Sequence, residues 1–147
     1  MGAAISNAQA QAAEIAKTLE DLATPCLVLD ADRMERNIAR LRGKLDGLGA
    51  SLRPHLKTAK SVDVARRVMS SPAGPATVST LKEAAQFAAA GVRDILYAVG
   101  IVPAKLPQVL ALRASGADIA VVLDTVEQAQ DVAEASRNAG TRMPAII

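Results

Sequence analysis

The stretch Leu52-Arg53-Pro54-His55-Leu56-Lys57-Thr58 gathers the side chains best able to do chemistry. On a strand, alternate residues share a face, so Arg53, His55 and Lys57 point one way and Leu52, Pro54 and Leu56 the other. Three cationic or titratable groups on one face of a buried strand are costly unless they meet anions or a ligand. Lys57 falls at the C-terminal end of this strand, the end at which parallel α/β folds build their sites. Crowding by Arg53 and His55, with partial desolvation, favours its neutral amine. Such an amine attacks carbonyls, forms a Schiff base, acts as a base or carries a cofactor such as pyridoxal phosphate. Blander readings stand beside this one. Lys57 as a solvated strand-end charge, His55 as a hydrogen-bonded structural residue and Arg53 paired with a carboxylate would all suit the same pattern. Pro54 also argues against a regular central strand, because it cannot donate to the ladder.

The surrounding pattern alternates strand and helix. A short apolar strand, Cys26-Leu27-Val28-Leu29, follows Pro25, and Asp30 or Asp32 caps a helix over residues 33–48. Met34, Ile38, Leu41, Leu45 and Leu48 recur there at helical spacing. After the 52–58 strand come a short helix at 61–69, a Pro/Gly-rich loop and a strand at 76–79. Thr80-Leu81-Lys82-Glu83 reads as a capping box opening a helix that stops at Gly91. Strands at 94–99 and 118–124 enclose a helix that starts at Pro103 and stops at Gly116. Thr125 caps a helix ending before Gly140, and a last strand opens at Ala145. About five strands alternating with helices mean a parallel sheet, with the Cys26 strand outside the series. Two architectures suit it: an open doubly wound sheet, or the first half of a (β/α)8 barrel, which takes about 250 residues. The apolar run Met143-Pro144-Ala145-Ile146-Ile147 favours the half barrel and a chain that is a fragment.

Composition narrows the classes. Half of the 147 residues are apolar and 22% are charged, enough to bury a core. Seventeen basic against fifteen acidic side chains give a net charge of +2, which does not point to nucleic acid. Tyr97 and Phe87 are the sole aromatics, too few to stack the bases of a single strand. Cys26 and His55 are the sole cysteine and histidine, so no disulfide, cysteine-built zinc site or multi-histidine metal site arises within this sequence. No apolar run approaches the roughly 18–20 residues of a membrane span. The segment 3–22 is Ala/Gln-rich and predicts an N-terminal helix rather than a signal peptide, which makes the cytoplasm the expected compartment. Lys57, Lys60, Arg66 and Arg67 could form a phosphate patch, with a solvated helix face as the plainer reading.

Taken together, Thr24-Pro25-Cys26-Leu27-Val28-Leu29-Asp30, Asn37-Ile38, Arg53-Pro54-His55-Leu56-Lys57-Thr58-Ala59-Lys60-Ser61, Val78-Ser79-Thr80-Leu81-Lys82-Glu83-Ala84 and Asp94-Ile95-Leu96-Tyr97-Ala98-Val99 resemble the N-terminal half of the D-serine dehydratase and D-threonine aldolase family. The likeness runs from Thr24 to the end and is nearest the dehydratase branch, which includes D-threo-3-hydroxyaspartate dehydratase. It implies the alanine-racemase-like barrel of fold type III pyridoxal 5'-phosphate enzymes. Residues 1–23 would be a helical extension and 24–147 a partial cofactor-binding barrel. It also implies Lys57 as the Schiff-base lysine, His55 as a second catalytic residue, and Arg53, His55 and Thr80 around the cofactor. The implied substrate is a small β-hydroxy D-amino acid, dehydrated to a keto acid and ammonia. The alternatives are retro-aldol cleavage to glycine and an aldehyde, and a non-catalytic cofactor-binding protein. A divalent metal, zinc or manganese, would be held by His and Cys residues of later segments, not by Cys26, and the enzyme would be a homodimer. Without the resemblance, a Schiff-base aldolase on a plain barrel would be the runner-up.

Overall fold

The structure, a computed structural model, describes residues 18–147. Most of the helix expected over 3–22 lies outside these residues; its described end holds a 3-10 turn, Leu19–Asp21. The described residues fall into two compact units, 18–34 and 35–147. In the first, Cys26, Leu27, Val28 and Leu29 are exposed and belong to no strand ladder among the described residues. The strand expected there is therefore absent: an apolar run becomes a strand only where an edge accepts its hydrogen bonds. Asp30 caps the following helix, α1 (Ala31–Gly47), by accepting the Arg33 N–H at 2.8 Å.

The second unit is a parallel sheet wound in one direction. Its strands are β1 (Ala76–Val78), β2 (Asp94–Gly100), β3 (Asp118–Val122) and β4 (Ala145–Ile146), adjacent in that order. Helices α3 (Leu81–Ala89), α4 (Leu106–Ala114) and α5 (Val126–Asn138) make the crossovers, and α2 (Val62–Val68) precedes β1. A doubly wound sheet would reverse its strand order part-way. The unbroken order 1-2-3-4 is that of a barrel wall, which decides between the two architectures the sequence allowed.

The 52–58 segment departs from expectation. It contributes a single parallel bridge, His55 to Thr77, rather than a strand. The Pro54 carbonyl accepts from Thr77 at 2.8 Å and the Leu56 N–H donates to Thr77 at 2.9 Å. Pro54 has no N–H to extend the ladder, and beyond Leu56 the chain turns, closed by Lys60 N–H to the Leu56 carbonyl at 2.9 Å. The alternation of faces nevertheless survives: Pro54 and Leu56 are buried, and Arg53, His55 and Lys57 are exposed.

Register assigns the two faces of the sheet. Ala76, Ile95 and Ile119 stand side by side, as do Val78, Tyr97 and Val121. All six are fully buried against the helices. Each large side chain buried this way contributes about 1.5–3 kcal/mol. Thr77, Leu96 and Ala120 lie in register on the opposite, inner face, and the bridge places His55 beside Thr77. Leu96, Ala98, Ala120 and Val122 of that face are half-buried. The sequence showed continuous apolar strands, which predicts burial on both faces. The observed alternation arises because these residues cover only one side of the sheet with helices.

The apolar stripe expected on α1 is likewise only partly buried. Ile38 is buried, whereas Leu41 and Leu48 are exposed. The helix is tied instead by Arg42, which donates to the carbonyls of Arg67 and Met69 at the end of α2 (2.8 and 3.1 Å), and by the Glu35–Arg67 ion pair. Before β1, Gly74 has φ +119°, and a Cβ there would lie 2.8 Å from the Asp94 carbonyl oxygen, so the turn accepts only glycine.

Candidate active site

Lys57 stands at the C-terminal margin of the inner face, in the turn that ends the bridged segment. Its side chain is exposed, and its amine has no ion-pair or hydrogen-bond partner recorded among the described residues. Its backbone N–H donates to His55 Nδ1 at 3.2 Å, and His55 Nε2 lies 3.2 Å from Ser79 Oγ. Ser79 follows directly after β1, two residues beyond Thr77 and therefore on the same face. The pairing of the bridged segment with β1 thus brings Lys57, His55 and Ser79 together.

Arg53 does not join them. Its guanidinium forms a bidentate pair with Asp94 at 2.7 and 3.0 Å and donates to the Ala76 carbonyl at 3.3 Å. Ala76 and Asp94 are the first residues of β1 and β2, so Arg53 is held at the end of the sheet opposite Lys57. The crowding of three cationic groups expected from the sequence is not realised, because Asp94 neutralises Arg53 and Lys57 is exposed. The desolvation expected at Lys57 is not supplied by these residues either. Thr80 is engaged locally: its Oγ1 accepts the Glu83 N–H at 3.0 Å as the N-cap of α3.

Glu83 carries more than the capping role its spacing announces. Its carboxylate, 5% exposed, accepts from the N–H groups of Ser79 (2.9 Å) and Thr80 (3.2 Å) through Oε2, and its Oε1 pairs with Lys60 Nζ at 3.2 Å. Burial alone would push its carboxyl up; the Ser79 N–H, Lys60 and the Thr80 N–H outweigh burial and hold it below the ordinary value of 4.5. A depressed folded-state value gives stability that is present above the unfolded value and lost as pH falls through the folded one. Glu83→Gln is therefore expected to cost about 1–3 kcal/mol at neutral pH. In urea titrations the gap between wild type and variant should narrow below pH 4.5, the ordinary value. A gap of constant size down to pH 2 or so would contradict the ionic role.

Ser79 and Glu83 are the site residues that sequence reasoning passed over, and Lys60 enters it only as part of a phosphate patch or a solvated helix face. The available signal was the Ser79-Thr80 pair two residues beyond a strand partner of His55, which needs the register to be seen. Among the described residues, no group of three or more His, Cys, Asp or Glu side chains could hold a metal ion, and Cys26 is exposed. No described helix is long and apolar enough to cross a membrane.

This wall of parallel strands, with an exposed lysine at its C-terminal margin, matches the family model for the alanine racemase N-terminal domain over residues 29–147. The chain belongs to the alanine racemase N-terminal domain family. Within that family it is 52% identical over 123 residues to D-threo-3-hydroxyaspartate dehydratase of Delftia sp., covering 84% of this chain and 32% of the relative. It is 35% identical over 126 residues to 3-hydroxy-D-aspartate aldolase of Paracoccus denitrificans, again covering 84% of this chain and 32% of the relative. The solved structure of the Delftia dehydratase superposes with a TM-score of 0.81 at 50% identity, covering 84% of this chain and 33% of that one. A mutant of that dehydratase has been solved in a metal-free form. The chain spans about a third of the length of these relatives. Their fold confirms the partial parallel barrel expected from the sequence.

Proposed function

We propose that this chain is the lysine-bearing part of a pyridoxal 5'-phosphate-dependent lyase that dehydrates a β-hydroxy D-amino acid, D-threo-3-hydroxyaspartate or D-serine, to a keto acid and ammonia. The observation that carries the reading is the free, exposed amine of Lys57 at the C-terminal margin of the inner face, in a chain 52% identical to a dehydratase of that kind. The residues present suit the cofactor. Lys57 Nζ is unengaged among the described residues and lies at the exposed, helix-free face of the sheet, where a carbonyl group can reach it. Lys57 would hold the cofactor, with Ser79 and His55 at its flank. When bound, the cofactor supplies an electron sink for the charge left as the α-proton departs. Lys57 Nζ, once released by substrate, is the base within this chain that can take that proton. His55 and Ser79 keep the Lys57 backbone in place while its side chain exchanges partners. The Arg53–Asp94 pair serves the opposite end of the wall, where it holds β1 and β2 in register.

The described residues do not compose a metal site, so a zinc or manganese ion that assists loss of the β-hydroxyl would be held by other parts of the protein. The same reading makes the enzyme a cytoplasmic homodimer; its support is the family resemblance. A retro-aldol activity is the second reading, supported by the aldolase relative at 35% identity. The two separate by products. With pyridoxal phosphate and a divalent metal, the protein is expected to convert D-threo-3-hydroxyaspartate or D-serine into equal amounts of keto acid and ammonia. Glycine and an aldehyde would replace the dehydratase reading with the aldolase one. A protein that binds cofactor yet yields neither set of products would be a carrier.

A further inference from the structure

We propose that His55 is a positioning residue for Lys57, not a proton carrier, and that a ring of hydrogen bonds closed by Glu83 holds it as the neutral tautomer protonated on Nε2. The inference rests on the reading of Lys57 as the cofactor lysine and deepens it. The decisive contact is the Lys57 N–H donating to His55 Nδ1 at 3.2 Å. A backbone N–H can only donate, so Nδ1 must present its lone pair. A neutral imidazole with a free lone pair on Nδ1 carries its proton on Nε2. Nε2 faces Ser79 Oγ at 3.2 Å, and in this tautomer Nε2–H donates a hydrogen bond to the hydroxyl oxygen. An imidazolium would set an N–H against the N–H of Lys57. Both ring nitrogens are therefore engaged, Nδ1 by the Lys57 N–H and Nε2 by Ser79.

The ring closes through residues outside the segment. The Ser79 N–H donates to Glu83 Oε2 at 2.9 Å, and Glu83 Oε1 pairs with Lys60 Nζ at 3.2 Å. Lys60 ends the turn that contains Lys57: its N–H donates to the Leu56 carbonyl at 2.9 Å, and its backbone lies in the left-handed region with φ 47°. A non-glycine residue in that region needs surrounding contacts to keep it there. The pairing with buried Glu83 supplies one. From Lys57 the path runs through the His55 ring, Ser79, Glu83 and Lys60 back to the same turn. The expectation that His55 shares in catalysis is thus reassigned to aiming the lysine.

Two measurements test this. The first is nitrogen-15 NMR of the His55 imidazole in the labelled protein without cofactor, assigned by the signals that vanish in His55→Asn. One pyrrole-like nitrogen at Nε2 and one pyridine-like nitrogen at Nδ1 are expected at neutral pH. The opposite tautomer, or an imidazolium, overturns the proposal, and this arm requires no cofactor. The second is the rate at which borohydride fixes pyridoxal phosphate onto the Lys57 peptide, read by mass spectrometry. His55→Ala should slow capture about tenfold or more. His55→Asn should restore it to within about threefold of wild type, because an asparagine side chain accepts the N–H two residues on. Equal loss in both variants would make the imidazole itself essential and overturn the positioning role. Wild-type protein that captures no cofactor on Lys57 would defeat the cofactor reading, while the tautomer measured in the first experiment still decides the role of His55.

Discussion

Replacing Lys57 with alanine is expected to abolish turnover, by about a thousandfold or more, while leaving the fold intact. The two halves of this expectation have separate physical grounds. In the proposed function the amine both anchors the cofactor and takes the α-proton, and losing a covalent anchor and a base together would remove several kcal/mol of transition-state stabilisation. The Lys57 side chain is exposed and has no recorded polar partner among the described residues, so its removal should change stability by no more than about 0.5 kcal/mol. The measurement pairs keto-acid release with a urea midpoint on the same preparation. Undiminished turnover, or cofactor fixed by borohydride onto Lys60 or Lys82 in the wild type, would sink the assignment. Lys60 is the natural competitor, three residues on, but its amine is already paired with the Glu83 carboxylate at 3.2 Å. Lys82 lies in the first turn of α3 and is exposed there.

Tyr97→Ala should produce the reverse pattern, a large loss of stability from a residue with no part in the chemistry. Tyr97 is fully buried on the helix-facing side of β2, in register between Val78 and Val121. Its hydroxyl accepts from Lys105 Nζ at 2.6 Å, in the turn that leads into α4. Truncation removes a large ring from a packed layer and strands the lysine, a change expected to cost about 3–5 kcal/mol. Tyr97→Phe keeps the ring and removes only the hydroxyl, for about 0.5–1.5 kcal/mol, since half-buried Lys105 can recover water. Urea titrations of both variants separate the packing and hydrogen-bond contributions. Equal destabilisation by Ala and Phe would mean that the polar contact, not the ring, holds this layer.

Local signals were legible wherever a residue acts on its own neighbours. The capping box Thr80–Glu83 and the Thr125 cap lie where their spacing announces them. The stops at Gly91, Gly116 and Gly140 coincide with positive φ values. The resemblance carried by the 53–61 and 78–84 motifs was sound, since the chain belongs to the alanine racemase N-terminal domain family. Signals that need a partner were less secure. Cys26-Leu27-Val28-Leu29 has strand composition but pairs with nothing among the described residues. The 52–58 run forms one bridge because Pro54 interrupts the ladder and the chain turns after Leu56.

By itself, then, the sequence determined the alternation that sends His55 and Lys57 to one face and Leu56 to the other, the helix caps, and the family. These depend on a two-residue period or on contacts within a single turn, both written in consecutive residues. Tertiary structure alone decided which of the three basic side chains share a site. Arg53 looks equivalent to His55 in the sequence, yet the register of β1 and β2 brings Asp94 to it and commits it to the far end of the sheet. Ser79, Glu83 and Lys60 look like a strand end, a cap and a surface charge, yet the pairing of His55 with Thr77 brings them around Lys57. Register is a relation between segments about twenty residues apart, fixed by the packing of the whole layer, and no single segment encodes it.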